Sequence, residues 1–274
     1  MNEQRVTPPG QYLAWGSVLA VVLVVFVLPV ITVMLSAAAA RWQFPHLIPN
    51  AFSSRAVEFL WDNRRGIARS LFSSAGYSLA TVVLTFLVSV LPAEVLARYE
   101  FRGRIAVEAL FLSPVLVPAI TYGMGIHFLF IRLGLANTTL GVVLVLTAAA
   151  YPYMLRSLIT GFQQIPADID ACAANLGASL VRRLLRLHVP LLGPAMLAGG
   201  SVVFLVAFSE YFLVFLIGGG AVPSFTGYLF PFLSGGDRSL GSVLTLLFLV
   251  IPLLLFLGLD RTLTRYYRRR LMMQ

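Results

Sequence analysis

Long apolar runs dominate this sequence and limit most strongly what it can fold into. The clearest run extends from Tyr12 to Leu35, and a helix needs roughly 20 apolar residues to cross the hydrocarbon core of a bilayer. This run is too long and too weakly flanked by charge for a cleavable signal peptide. Charged residues form 11% of the chain, against roughly 25% in soluble proteins. The sequence therefore predicts an integral membrane protein.

Six apolar segments predict an all-α protein with six transmembrane helices. They extend over Tyr12–Leu35, Leu71–Ala97, Ile105–Ile131, Thr138–Leu158, Leu191–Ile217 and Leu240–Leu259. We expect two parts: residues 1–70, an N-terminal helix with a periplasmic connection, and residues 71–274, a core of five helices. Pro114 and Pro118 are expected to bend the third span. The Gly- and Pro-rich segment Gly218–Arg238 predicts a loop.

The distribution of arginine predicts the orientation of the chain. All 20 basic residues are arginine, and five of them cluster close behind the last apolar segment, at Arg261, Arg265, Arg268, Arg269 and Arg270. Basic residues close to a span remain on the cytoplasmic side. We therefore expect both termini in the cytoplasm of a bacterial cell and the chain in its inner membrane. The basic excess of +9 is attributed to topology and to membrane lipid, with no nucleic-acid partner.

Missing residue types exclude several kinds of chemistry. The chain has no lysine, and a phosphate-binding P-loop and a Schiff base each require one. Any ATP must therefore bind to another chain. Cys172 is the single cysteine, which excludes an intrachain disulfide and a multi-cysteine metal site. His46, His127 and His188 have no metal-ligand spacing, so no metal site is predicted.

The connection between the fourth and fifth spans, residues 160–190, carries two short helix patterns. In the first, Pro166 suits the first turn of a helix, and Asp168 and Asp170 favour the positive end of its dipole. An apolar stripe follows at helical spacing over Ile169, Cys172, Ala173 and Leu176. Gly177 is expected to end this helix, and Ser179 to cap a second, basic one. Either a docking element for a cytosolic partner or a helix lying on lipid headgroups would have this pattern.

The same connection resembles the EAA loop of binding-protein-dependent ABC importer permeases of type I. The family pattern is Glu-Ala-Ala, three residues, Gly, nine residues and Ile-x-Leu-Pro. Here Ala171-Cys172-Ala173, Gly177 and Leu187-His188-Val189-Pro190 have this spacing. The family's Glu is Ala171 in this chain and its first Ala is Cys172, so Asp168 or Asp170 is expected to provide the charged contact to the ATPase. The resemblance implies a coupling loop that also includes Ala178.

A second match lies where the second span ends. Residues 92–104, PAEVLARYEFRGR, are similar to the exit of this helix in the same family. We expect Glu94 and Glu108, near the ends of two spans, to pair with Arg98 or Arg104. The resemblance implies a second permease subunit, two cytosolic ABC ATPases that bind ATP and Mg, and a periplasmic solute-binding protein. It implies a transport subunit that is not itself an enzyme and has no cofactor of its own.

Glu210 is the candidate for a role within the membrane. It lies in the fifth predicted span between Ser209 and Tyr211, and an ionisable group in a span suggests function. These three residues could line the translocation path, or Glu210 could be a paired structural residue. An intramembrane hydrolase would need a nucleophile and a base at membrane depth, and the sparse polar residues supply neither. A scaffold without transport activity remains the other alternative.

The sequence indicates a class of substrate and not a single compound. Residues 209–220 and 229–242 look similar to the polyamine-type permease branch, which gives a polyamine-like solute as the expectation. Importers of ferric ion, thiamine, phosphonate and sugars share the architecture that the resemblance implies. In such systems the binding protein usually sets the selectivity.

Overall fold

The computed structural model describes residues 9–42 and 45–271 and is almost entirely helical. The first elements are α1 (Pro9–Ala38), β1 (Ala39–Arg41), β2 (Ala51–Phe52), α2 (Arg55–Asp62), α3 (Arg64–Arg98), α4 (Arg104–Leu112), a 3₁₀ turn (Ser113–Val115), α5 (Ala119–Arg132) and α6 (Thr139–Gln163). There follow α7 (Ala167–Asn175), α8 (Leu180–Arg183), a π-helical turn (Leu184–His188), α9 (Val189–Leu191), α10 (Gly193–Ser209), α11 (Phe212–Gly218), α12 (Phe225–Ser234) and α13 (Arg238–Leu271). The all-α prediction is confirmed, and β1 and β2 form a small antiparallel ribbon.

The described residues form two compact units. One comprises those of Met1–Arg64 and Leu229–Val250, and the other those of Arg65–Tyr228 and Ile251–Gln274. The predicted division at residues 70 and 71 stays a prediction. Both termini, expected in the cytoplasm, lie outside the described residues.

Several helices have the length and composition of membrane spans. Among the described residues, Gly16–Ala38, Arg64–Arg98 and Thr139–Gln163 each qualify alone. Two bent pairs, Arg104–Val115 with Ala119–Arg132 and Leu180–Leu191 with Gly193–Ser209, raise the number to five if each pair is one span. Arg238–Leu254 is a shorter apolar helix. Each of the six predicted apolar segments is therefore mainly helical, and their number as spans stays a prediction.

Helix α6 forms the centre of the larger unit. Its side chains contribute to both apolar clusters of this unit, one with α3 and α10 and the other with α5 and α11. Val142, Val145, Leu155 and Leu158 have almost no exposed surface. In lipid the association of helices depends on close packing more than on the hydrophobic effect, so a helix buried on most sides must have small neighbours.

Glycines provide this close packing between α6 and α10. A Cβ atom at Gly161 would lie 2.6 Å from the Cβ of Ala195, and one at Gly199 would lie 2.8 Å from the Cβ of Ser157. The hydroxyl of Ser157 donates a hydrogen bond of 2.7 Å to the carbonyl of Ala195. Small residues and hydroxyls of this kind let the backbones of two membrane helices approach closely. The fourth and fifth predicted spans are therefore packed tightly at this end.

Two of the predicted spans are broken rather than continuous. The third turns by 91° between Val115 and Ala119, because Pro118 has no N–H to continue the helix. This confirms the bend, which is sharper than expected. The fifth was predicted as one helix over Leu191–Ile217, and this is wrong. Its backbone is extended at Glu210, with φ −73° and ψ 119°, between α10 and α11.

Two boundaries also differ from the prediction. The segment Gly218–Arg238 is not only a loop, since it contains α12 after a cap in which Ser224 accepts a hydrogen bond from the N–H of Gly227. Helix α3 begins at Arg64, seven residues before the predicted Leu71, and has 35 residues. At 1.5 Å per residue it is roughly 52 Å long, well beyond a hydrocarbon core of about 30 Å. Apolar content alone did not indicate this extension.

Candidate functional site

Helix α7 begins and ends where the sequence predicts. Pro166 occupies the position before its first turn, and Asp168 and Asp170 lie within that turn. At the other end Gly177 has φ +80°. Its N–H donates to the carbonyl of Ala174 at 2.9 Å, and the N–H of Ala178 donates to that of Ala173 at 3.1 Å. This pair of bonds is a Schellman motif, which requires a left-handed residue that glycine adopts without strain.

The second helical segment begins with the predicted cap and contains an unpredicted π turn. The hydroxyl of Ser179 accepts a hydrogen bond from the N–H of Arg182 at 3.4 Å. The π turn Leu184–His188 directly precedes α9, in which Pro190 is the second residue. Proline provides no N–H and its ring would collide with a carbonyl four residues earlier in a regular helix. A wider turn removes this conflict and directs His188 inward, where it is fully buried.

The predicted apolar stripe of α7 is accessible in this chain. Leu176 is 83% exposed and Ile169 is 42% exposed. Ala171 and Cys172 are exposed, as is Asp168, whereas Ala173 and Ala178 are half-buried and Pro190 is half-buried in the next helix. The outer face of α7 is therefore small, weakly polar and unoccupied by other described residues. Such a face is suited to contact with another molecule.

Asp170 points in the opposite direction, into the protein. Its side chain is 13% exposed. Arg183 donates from Nη1 to Oδ2 of Asp170 at 2.8 Å, and Nη1 of Arg98 lies 3.3 Å from the same oxygen. His188 donates from Nε2 to Oδ1 at 3.0 Å, since a carboxylate only accepts. Asp170 is thus the centre of an internal ion-pair network, and the expectation that it provides the contact to a partner ATPase does not fit this geometry.

Glu94 completes this group, which we call the Asp170 cluster: Glu94, Arg98, Asp170, Arg183 and His188. Oε1 of Glu94 lies 3.9 Å from Nδ1 of His188, too far for a hydrogen bond. The guanidinium of Arg98 stacks over Phe162, with Cζ 5.5 Å from the ring centroid. Phe162 also meets the ring of His188 edge-on at 5.3 Å. The cluster therefore joins the ends of α3 and α6 to α7 and to the π turn.

The ligand types in this cluster do not make it a good metal site. Glu94, Asp170 and His188 could each offer one atom, and these atoms lie within 4.8 Å of one another. Two guanidinium groups already lie against Asp170. A divalent cation would have to enter beside both guanidinium groups, where like charge repels it.

The predicted pairings of two glutamates were wrong. Glu108 pairs with Arg156 at 2.7 Å, Arg104 pairs with Glu100, and Arg98 turns to Asp170. Proximity in the sequence suggested Arg98 and Arg104 as the partners of these glutamates. The fold instead brings Arg156 of α6 to Glu108, and Asp170 of α7 to Arg98. Helical spacing carried no signal for the contact between Arg98 and Asp170, which are far apart in the sequence.

Glu210 lies at the break between α10 and α11. Its Oε1 accepts a hydrogen bond of 3.1 Å from the N–H of Leu213, and its carbonyl accepts one of 3.2 Å from the hydroxyl of Thr226. Ser209 is exposed and its hydroxyl donates to the carbonyl of Leu205 at 2.6 Å, while Tyr211 stacks on Phe215 at 5.7 Å. Glu210 therefore caps α11, and polar side chains that bind nearby backbone groups favour such a break.

The break places Glu210 between two helices and not within one continuous helix. Helix α10 has 17 residues, which correspond to about 26 Å, close to the ~30 Å of a hydrocarbon core. Glu210 follows the last residue of α10 and precedes α11, so it lies between two helices. The three predicted path residues thus surround a helix break.

A row of buried hydroxyl groups on α3 was missed in the sequence. Its members recur at three- and four-residue intervals and are buried: Ser70, Ser74, Ser78, Thr81, Thr85 and Ser89. The hydroxyl of Ser74 accepts a hydrogen bond of 2.9 Å from the N–H of Phe225, the first residue of α12. The spacing of these residues marks one face of a helix and could have indicated that the polar face of this span is its inner face.

Comparisons with known proteins point to one kind of protein. No family model matches the chain. The trehalose/maltose transport system permease protein MalG of Thermococcus litoralis is 34% identical over 140 residues, which are 51% of this chain and 50% of that protein. The alignment thus spans about half the length of this relative. PhnV of Salmonella typhi, assigned as permease to a 2-aminoethylphosphonate transport system, is 27% identical over 266 residues, with 93% and 96% of the two chains covered.

A solved structure has the same fold. It is a chain from the crystal structure of a bacterial ABC transporter involved in the import of the acidic polysaccharide alginate. The TM-score is 0.72, the sequence identity 16%, and the match covers 94% of this chain and 99% of that one. At this identity the match establishes the fold.

Proposed function

Because the chain is homologous to permeases of ABC transport systems and shares its fold with a chain of an ABC importer, we propose that it is the membrane-spanning permease subunit of an ATP-driven importer. It carries transmembrane helices, and the ATPase is a separate subunit. One observation supports its coupling role above others. Helix α7 ends in a Schellman motif at Gly177 and presents an accessible face around Cys172, at the spacing of the EAA loop.

The proposed docking surface is the outer face of α7: Asp168, Ala171, Cys172 and Leu176. These residues are exposed, and the short side chains of Asp168, Ala171 and Cys172 would let the helix enter a groove on the ATPase. Asp168, in the first turn, is the remaining acidic group on this face that could contact a basic residue of the partner. Asp170 has a different role, because Arg98, Arg183 and His188 surround its carboxylate.

We infer the remaining parts of the machine from this role. A second permease subunit, two cytosolic ATPases holding ATP and Mg, and a periplasmic solute-binding protein would complete the complex. The chain itself would carry no cofactor. Both termini and α7 would lie in the cytoplasm of a bacterial cell, with the helices in the inner membrane, as the arginine cluster behind the last apolar segment supports.

The class of substrate is inferred from the relatives. The relatives named above are permeases of sugar and phosphonate systems, and they do not support the polyamine expectation. We propose a small polar solute delivered by the binding protein, with the Glu210 region as the part of this chain closest to its path. The break leaves polar groups at membrane depth, which is tolerated where backbone lines a cavity or is buried in protein.

Copurification tests the proposal. The chain is expressed with the ATPase, partner permease and binding protein encoded beside it, and ATP hydrolysis is measured in proteoliposomes. We expect a stable complex whose hydrolysis rises with the loaded binding protein and whose lumen accumulates solute. A membrane scaffold would give a complex without solute accumulation. A helix lying on lipid headgroups would give no copurified ATPase.

A further inference from the structure

The Asp170 cluster links α7 to the end of α3 and, through His188, to the residues that precede α10. We propose that this cluster transmits displacement of α7 to α3 and α10, and that Asp170 is its positioning residue. The inference rests on the proposed function, since displacement of α7 by an ATPase is its starting point. It assigns the acidic residue beside the EAA positions to the inside of the permease rather than to the interface with the ATPase.

The first step is the set of elements that meet at Asp170. Arg98 is the last residue of α3, Arg183 the last of α8, and His188 the last of the π turn. All three contact the Asp170 carboxylate within 3.3 Å. A carboxylate with only two oxygens thus connects one short helix to three other elements.

The second step is the connection from His188 to α10. The carbonyl of His188 accepts a hydrogen bond of 2.7 Å from the N–H of Leu192, and α10 begins at Gly193. Leu192 is itself fully buried. A shift of Asp170 that carries His188 with it therefore reaches Leu192, the residue directly before α10. The π turn and Pro190 fix the direction in which His188 points.

The third step is burial, which separates this cluster from the ion pairs around it. His188 is fully buried, and the side chains of Asp170 and Arg98 are each 13% exposed. In contrast, the side chain of Glu100, which pairs with Arg104 near the same end of α3, is 89% exposed. A buried ion pair cannot exchange its partner for water without a large penalty, whereas an exposed pair separates easily. The cluster can therefore transmit a displacement that the exposed pair cannot.

A loop-stabilising role and a transmitting role predict different results. If the cluster only stabilises α7, its loss lowers the amount of assembled complex, and the complexes that assemble still couple normally. If it transmits displacement, assembled complexes hydrolyse ATP but transport less solute for each ATP. The ratio of solute transported to ATP hydrolysed separates the two.

The experiment measures this ratio in proteoliposomes of the complete complex with Asp170→Asn, which keeps the shape and removes the charge. We expect the ATPase to copurify and the ratio to fall at least about tenfold, because loss of one partner leaves buried guanidinium groups unpaired. Glu100→Gln is the matched control, since it removes an exposed carboxylate from the same region, and its ratio should equal that of the wild type. An unchanged ratio in Asp170→Asn overturns the inference.

Arg98→Gln extends the test and covers the case in which Asp170→Asn does not assemble, because the pair between Asp170 and Arg183 remains in it. We expect a reduced ratio in Arg98→Gln, and in the double variant a ratio no lower than that of Asp170→Asn, since residues that act as one unit are not additive. Asp170→Glu should restore part of the ratio.

A normal ratio in Arg98→Gln, or effects that multiply in the double variant, contradicts the inference. A wild-type complex without substrate-stimulated hydrolysis would instead refute the proposed function.

Discussion

Asp170 and Glu210 are both carboxylates with little exposure to solvent, yet their surroundings differ. Asp170 contacts two arginines and one histidine, Arg98, Arg183 and His188, which come from three different elements. Among the described residues, the carboxylate of Glu210 accepts one hydrogen bond, from a backbone N–H three residues away, at a break in its own span. Asp170 joins elements that are far apart in the sequence, whereas Glu210 shapes the chain locally.

This difference shows how the partners of a carboxylate group determine its role. A carboxylate held by several cations can stay ionised inside a protein, and its removal affects every element it contacts. A carboxylate that caps a helix stabilises one turn, and it remains available to interact with a passing solute. We therefore expect substitutions at Asp170 to loosen the α7 region and to lower the solute transported per ATP, and substitutions at Glu210 to lower transport with little effect on stability.

The largest effect is expected for Asp170→Ala. Without the carboxylate, Arg98 and Arg183 remain buried beside each other, and breaking a buried pair in this way costs about 3–5 kcal/mol. Amide hydrogen exchange of residues 167–176 in the purified chain should become much faster. Asp168→Ala on the same helix is the control, because an exposed first-turn carboxylate contributes only about 0.3–1 kcal/mol. Equal acceleration in both variants would show that Asp170 has no special structural role.

Gly177→Val should have an intermediate effect on the same region. Apart from its two chain neighbours, none of the described residues has an atom within 4 Å of a Cβ built at Gly177. The substitution therefore acts through φ +80°, which costs an L-residue roughly 1–2 kcal/mol. We expect normal membrane insertion, weaker copurification of the ATPase and loss of transport. Gly177→Asn should retain most activity, since asparagine tolerates this conformation. Full transport by the valine variant would contradict the assignment of α7 as the coupling helix.

The smallest effect on stability is expected at Glu210. Glu210→Gln retains an acceptor for the N–H of Leu213, whereas Glu210→Ala loses a cap worth about 0.5–2 kcal/mol. We expect the glutamine variant to unfold at the wild-type temperature, to assemble with the ATPase and to transport more slowly because the charge is gone. Thermal unfolding and solute uptake measure the two properties separately. If Glu210→Gln takes up solute at the wild-type rate and Glu210→Ala does not, the charge of Glu210 has no role in transport. Its role is then limited to capping α11.

Much of the fold could be predicted because long apolar segments and local caps are properties of neighbouring residues. The ends of α7 followed from Pro166 and Gly177, and the cap of α8 from Ser179. The break at Glu210 could not be predicted, because no proline or glycine lies at that point and the competition of polar side chains for the backbone is weak. Helix α12 was missed because its flanking glycines predicted a loop.

The site was predicted where it depends on spacing and missed where it depends on packing. The spacing from Ala171 to Pro190 indicated the loop and its accessible face. The inward direction of Asp170 depends on Arg98 and Phe162, which reach it only after α3 and α6 have packed together. His188 occupies a position that varies in the family pattern, and only the π turn before it reveals that it points inward.

The accessibility of Cys172 tests the central claim most directly, because it is the single cysteine of the chain and lies exposed on the proposed docking face. A membrane-impermeant maleimide is applied to intact cells and to inside-out vesicles stripped of the ATPase, and then to vesicles to which the ATPase has been added back. The account predicts no labelling in intact cells, rapid labelling in stripped vesicles, and protection when the ATPase returns. Labelling in intact cells, or equal labelling with and without the ATPase, would contradict it.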